Sequence, residues 1–319
     1  MPEKLSAESL PEPAPVVIPM KTVLPAQIWK TPAGRDRLNH WYDKFVSKIE
    51  TEVTSISVPT SIGPSHVLAT GPEDAPPLVC LHAMRTGASF LLSELPDLAK
   101  RFRLYAPDQP GQSIRGPEVK LSLKNDSYAT WLIEILNGLG LSSPPLFGVS
   151  WGGFVARLTA ADAPHRVSKL ALMVPAGIAN GSHLTGLAKM AFPMIRHSLW
   201  PTPNSLRSLL QPIVTTWDPD WADSISCALR DMKMDARVPP LATTAELRRL
   251  QMPTLVIAGD QDISFPGAAV VDRVERFISN VETELIEDCK HCPPTTAAFR
   301  AWLGDRLSRF LLDAPEPEI

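Results

Sequence analysis

The segment PPLFGVSWGGFVARL, Pro144 to Leu158, constrains this chain more than any other. Its apolar run reads as a strand ending at Val149, its continuation as a helix starting near Gly152, and Ser150 falls on the sharp turn between them. Side chains two residues before and after such a turn would collide, and Gly148 and Gly152 remove them. The turn lifts the Ser150 hydroxyl clear of a sheet and sets it at a helix N-terminus, where amide N–H groups favour developing negative charge. A glycine-rich turn also serves plain close packing. With strand and helix each indicated by its own periodicity, the expectation is an exposed nucleophile.

The rest of the chain supplies the sheet that such a turn needs. After Thr31, a suitable N-cap followed by Pro32, a helix is expected to about Glu50. The period then changes to two, and Val53 to Thr70 reads as a β-hairpin. Pro76–His82 and Phe102–Asp108 are short strands, the first wholly apolar, with a helix between them carrying Phe90, Leu91, Leu95 and Leu98 on one side. Tyr128, Trp131, Leu132, Ile135, Leu136 and Leu139 repeat at helical spacing over Asn125 to Gly140. Strands at 146–149, 169–174, 254–258 and 282–286 then alternate with helices at 153–163, 266–279 and 295–312. This alternation predicts an α/β fold with a mostly parallel sheet covered by helices on both faces.

The alternation breaks once. Between Pro175 and Leu241 there is no strand-like run, while Met190, Phe192, Met194, Ile195, Trp200, Leu206, Leu209, Leu210, Trp217 and Trp221 crowd into proline-broken helical pieces. The expected organisation is a proline-rich arm at 1–32, a core at 33–174 and 242–319, and a helical cap at 175–241. Most of the cap's large side chains are expected to pack it on the body, and the rest to line an apolar pocket.

A serine hydroxyl needs a base to take its proton, and the base needs a partner to hold its tautomer. Of the seven histidines only His291, in IEDCKHCPP, lies after the last strand. GDQDISFP places Asp260 and Asp262 on the loop after strand 254–258, and Asp262, farther out, is preferred as the orienting carboxylate. Ser, Asp and His then converge at the C-terminal edge of one sheet, where open α/β sheets hold ligands. The oxyanion donors are expected to be the backbone N–H groups of Trp151, next after the nucleophile, and Met84, in the loop after strand 76–82.

Composition excludes several other readings. The net charge of −3 and pI near 6.2 lead to the expectation that no basic field exists to hold nucleic acid or an anionic membrane surface. The first residues lack the pattern of a signal peptide, and no apolar run reaches the length of a membrane span, so the expected location is cytoplasmic. Cys80, Cys227, Cys289 and Cys292 are too few and scattered for a disulfide framework. Cys289 and Cys292 flank His291, but a zinc site needs about four ligands and no second pair exists, so no metal is expected.

In these motifs the chain resembles the α/β-hydrolase superfamily over Val53 to Leu312. It has GVSWGG, LHAMRTGAS where members often have L-H-G-x-x-x-x-S, APDQPGQSIRG where they have D-x-x-G-x-G-x-S, GDQDISFP where they have G-x-x-D-x-x-x-P, and the late His291. It departs in Ala83, which replaces a usual glycine, and in DCKHCPP, which replaces a Gly-His pair. The resemblance implies an eight-stranded sheet, Gly148 and Gly152 framing a nucleophile elbow, a Ser150–His291–Asp262 triad, and Met84 and Trp151 as oxyanion donors. The branch it looks most like is bacterial and carboxylesterase-like. That implies a cofactor-free serine esterase acting through an acyl-enzyme on a small, largely apolar ester, with a homo-oligomer left open. A carbon–carbon bond hydrolase, a polyester depolymerase and an acyltransferase would use the same residues, and a hydrolase-like binding protein would keep only the pocket.

Overall fold

A computed structural model of the chain describes residues 24–25, 27–182, 187–233, 235 and 237–312. Of the expected N-terminal arm, residues 1–23 and 26 lie outside the described residues, as does His183 in the segment expected to form the cap. Eight strands form one sheet: β1 (Val53–Val58), β2 (Ser65–Thr70), β3 (Pro77–Leu81), β4 (Arg103–Pro107), β5 (Leu146–Val149), β6 (Leu170–Met173), β7 (Thr254–Gly259) and β8 (Val281–Ile286). Their spatial order is β8-β7-β6-β5-β3-β4-β2-β1. Only β2 runs antiparallel to both neighbours, through the β1–β2 hairpin and its pairing with β4; every pairing from β4 to β8 is parallel.

The period of two in the central strands becomes two cores. Leu78, Cys80, Phe147, Val149, Ala171, Met173, Leu255 and Ile257 face one side, with Leu38 and Tyr42 of helix α1 (Pro32–Val46), Leu91 and Leu92 of α2 (Ala88–Ser93), and Leu303 and Leu307 of the C-terminal helix. Val79, Leu81, Leu146, Leu170, Leu172, Val256 and Ala258 face the other, with Trp131, Leu132, Ile135 and Leu136 of α3 (Ser127–Gly138) and Phe154 and Val155 of α4 (Trp151–Asp162). Strands buried on both faces have no polar side, which is why they read as unbroken apolar runs. The expected N-cap forms as well, with Thr31 Oγ1 accepting from the amide of Gly34 at 3.0 Å.

Between β6 and β7 the described residues contain helices α5 (Phe192–Leu199), α6 (Pro203–Leu210) and α7 (Pro219–Asp231) and no strand. Leu206, Leu209, Leu210, Val214 and Ala222 make a third, separate apolar cluster there. Helices α8 (Gly267–Phe277) and α9 (Ala297–Leu312) complete the chain. A two-residue pairing of Leu24–Pro25 with Val119–Lys120 lies apart from the main sheet. Parallel strands send all their C-terminal ends to one edge, and the loops after β3, β5, β7 and β8 gather there.

Candidate active site

Ser150 sits between β5 and α4 with φ +52° and ψ −110°, a conformation that non-glycine residues avoid. Its two glycines answer to different neighbours. A Cβ on Gly148 would stand 2.5 Å from the carbonyl oxygen of Gly152, across the turn, whereas a Cβ on Gly152 would run into the carbonyl oxygen of Leu81 at the end of β3. The elbow is therefore pressed against the adjacent strand as well as folded on itself.

His291, from the loop after β8, meets the serine: Ser150 Oγ lies 3.0 Å from His291 Nε2. On its other side His291 Nδ1 is 2.8 Å from Asp262 Oδ2. Asp262 Oδ1 already accepts from the backbone N–H groups of Ser264 (2.7 Å) and Phe265 (3.0 Å), which fixes the carboxylate and leaves Oδ2 for the imidazole. With Nδ1–H donating to a carboxylate, the neutral ring presents Nε2 as an acceptor to the serine hydroxyl. Phe265 packs edge-on against the ring at 5.1 Å between centroids, limiting its rotation. Asp260, the other acid of GDQDISFP, accepts instead from the Cys289 amide at 3.0 Å and ties the loop after β7 to the loop that carries His291.

The amides of Met84 and Trp151 donate to no other protein group among the described residues, and the Met84 side chain lines the cavity above Ser150. His82 shapes the Met84 loop from below. Fully buried, it accepts from the Gln109 amide at Nε2 (3.0 Å) and donates from Nδ1 to the Ala83 carbonyl (2.7 Å). Burial pushes its basicity down, which keeps the ring neutral and this donor–acceptor pattern fixed.

Sequence reasoning missed the buried carboxylate beneath this loop. Asp108 accepts from the Tyr42 hydroxyl (2.6 Å), His66 Nδ1 (2.7 Å), the Ala88 amide (3.0 Å) and the Ser113 hydroxyl. Burial alone would raise its pKa, but these donors and the nearby imidazoles hold the carboxyl below its ordinary value, so it is ionised. The signals in the sequence were His66, inside a strand, and the aspartate closing β4. They meet only because β2 pairs with β4.

A cavity of about 350 Å³ opens over Ser150 and His291. Met84, Phe90, Leu91, Val149, Met173, Phe265 and Leu303 line it from the sheet side, and Met190, Met194, Leu209, Leu210, Ile213, Val214, Trp221, Ile225 and Leu229 from the segment between β6 and β7. Glu94 and Arg300 bring charge to its wall as a bidentate pair, Nε to Oε2 at 2.9 Å and Nη2 to Oε1 at 2.8 Å. Burial pushes the Glu94 carboxyl up, against the pull of Arg300. No cluster of three or more metal-ligating side chains exists among the described residues; Cys289 is buried in its loop, and Cys292 stands on the cavity wall.

The model of the α/β-hydrolase-fold family matches residues 76–211. The chain is 26% identical over 277 residues to the uncharacterized carboxylesterase nap of Bacillus subtilis, covering 84% of this chain and 90% of that one. It is 27% identical over 263 residues to carboxylesterase YbfK of the same organism, covering 78% and 86%. The crystal structure of naproxen esterase from Bacillus subtilis superposes with a TM-score of 0.73 at 23% identity, over 88% of this chain and 99% of that one, a likeness of fold.

Proposed function

We propose that this chain, which has the α/β-hydrolase fold and resembles carboxylesterases, hydrolyses carboxylic esters by way of an acyl-enzyme on Ser150. His291 Nε2 takes the hydroxyl proton as Oγ attacks the ester carbonyl, and the same proton then goes to the departing alcohol. Asp262 holds the tautomer and offsets the imidazolium charge. The amides of Met84 and Trp151 receive the oxyanion. Water, activated by the same imidazole, attacks the acyl carbonyl and releases the acid, returning the proton to Ser150. The mostly apolar cavity suits an uncharged ester: of the two arginines on its wall, Arg300 is paired with Glu94, and Arg85 feels the opposite charge of Asp235.

The observation that carries this reading is the unbroken chain of two hydrogen bonds, Ser150 to His291 at 3.0 Å and His291 to Asp262 at 2.8 Å, opening into that cavity. Incubation with a fluorophosphonate followed by peptide mass mapping is expected to label Ser150 alone. Labelling elsewhere, or ester turnover that survives Ser150→Ala, overturns the assignment. A series of p-nitrophenyl esters, run beside a vinylogous diketone, a polyester and an acceptor alcohol, separates ester hydrolysis from carbon–carbon cleavage, depolymerisation and acyl transfer.

A further inference from the structure

We propose that the outer face of α5 docks the protein on an anionic lipid bilayer, with the wall of the catalytic cavity set against the interface. Phe192, Ile195 and Leu199 recur at i, i+3 and i+7 and share one face of the helix, 68%, 58% and 62% exposed, and Trp200 follows at 65%. Four large apolar side chains standing together in solvent form a patch of the kind that marks an interaction site. The same stretch of chain faces inward too. Met190, just before the helix, and Met194, on its opposite side, line the cavity over Ser150. The helix is thus the thin partition between cavity and surroundings.

Charge identifies the occupant. From residue 163 to residue 217 the chain carries no aspartate or glutamate, although its net charge is −3. Lys189 and Arg196, exposed beside the apolar face, have no carboxylate partner among the described residues. Arg207 is exposed on α6, its guanidinium over the Trp217 ring at 4.6 Å. An apolar and aromatic face on a stretch of chain whose only charged residues are cations matches an anionic lipid interface, where rings sit at headgroup depth and each cation gains from the surface potential. A second copy fits poorly, since a two-fold contact would bring the cations of both patches together with no anion between them. The net charge of the whole chain conceals this local field. Docking itself does not depend on the ester-hydrolase reading; only the further consequence, that substrate enters from the lipid phase, rests on it.

The test uses the full chain and vesicles of phosphatidylcholine alone or mixed with phosphatidylglycerol. The protein is expected to sediment with the mixed vesicles at low salt, to be released by salt, and to show a blue shift of tryptophan emission that Trp200→Ala diminishes. Phe192→Asp with Ile195→Asp should lower partitioning at least about tenfold. Lys189→Gln with Arg196→Gln should lower it about 30-fold, two cations' worth of surface attraction. Both double variants should keep wild-type turnover of a short water-soluble ester, which shows that they are folded. Failure of the wild type to sediment, equal partitioning of either double variant, or a dimer that Phe192→Asp dissociates without any vesicle binding overturns the proposal. Absence of ester turnover in a wild type that still docks counts against the ester-hydrolase reading and leaves the docking surface standing.

Discussion

The amide of Cys292 donates to the carbonyl of Ile213 at 2.7 Å, so the loop that carries His291 hangs from the segment between α6 and α7. The Thr215 amide returns a bond to the Cys292 carbonyl at 3.1 Å, and Thr215 Oγ1 both donates to that carbonyl (2.8 Å) and accepts from the Lys290 amide (2.9 Å). The placement of the proposed base is therefore shared between the sheet body and the helical segment above it.

Thr215→Val deletes the two side-chain bonds and leaves the Lys290 amide without its partner, a loss of about 1–3 kcal/mol in stability. We expect kcat for a p-nitrophenyl ester to fall about tenfold with a small change in KM, because the imidazole loosens while the cavity walls stay. Denaturant titration and steady-state kinetics on Thr215→Val and Thr215→Ser check this, with the serine variant keeping most of both.

Asp262→Asn should lower kcat by about 10³- to 10⁴-fold, since an amide holds the wrong tautomer of His291. Asp260→Asn should leave most turnover in place, because its carboxylate bonds the Cys289 amide rather than the imidazole. Equal losses in the two variants would refute the division of labour between them.

Ser150→Gly and Ser150→Ala both remove the hydroxyl, and both are expected to be inactive. They should differ in stability by about 1 kcal/mol in favour of glycine, because φ at this position is +52° and a Cβ is strained there. Thermal unfolding of the pair measures the conformational cost of the elbow apart from its chemistry.

Alkylation by iodoacetamide at neutral pH should reach Cys227 first. Burial pushes the Cys289 thiol to about 11 and the Cys292 thiol to about 12, and pushes Cys80 up as well. At pH 8 the Cys292 thiolate fraction is on the order of 10⁻⁴, so this residue stays unmodified despite its place beside His291. Mass mapping over time gives the order of reaction.

Asp231 ties α7 to α1 through Arg37, at 3.0 and 2.7 Å, and receives Arg230 as well. Its burial would raise the carboxyl's pKa, but the two guanidinium groups prevail and hold it at about 2. A lowered folded-state pKa contributes stability above the unfolded value, near 4, that is lost as pH falls toward 2. Both arginines are about half exposed, so solvent screening limits the contribution to about 1–2 kcal/mol. Asp231→Asn should be less stable than wild type at pH 7, with the difference closing between pH 4 and pH 2 in urea titrations.

The strand–helix alternation was legible because central strands buried on both faces are apolar throughout and their helices repeat at 3.6. The Leu24–Pro25 pairing was not, since two residues carry no period. Ser150, Asp262 and His291 could be picked out because each follows a strand in a chain whose parallel order brings strand ends together. The Asp108 cluster escaped notice because its partners come from α1, β2 and the loops after β3 and β4, and no local spacing relates Tyr42, His66 and Ser113. The outward apolar face of α5 is not legible in the sequence, because amphipathic spacing alone does not say which side of a helix turns outward.

Because the Leu81 carbonyl lies directly over Gly152, the elbow and the loop bearing Met84 cannot be assembled one at a time. Their strands, β3 and β5, come from stretches about 65 residues apart and touch only once the middle of the sheet has zipped up. A chain in which β3 and β5 have not yet paired, however much helix it holds, lacks the backbone contact that seats the elbow beside the Met84 loop, and recovery of turnover should be among the last events when the denatured protein is returned to buffer.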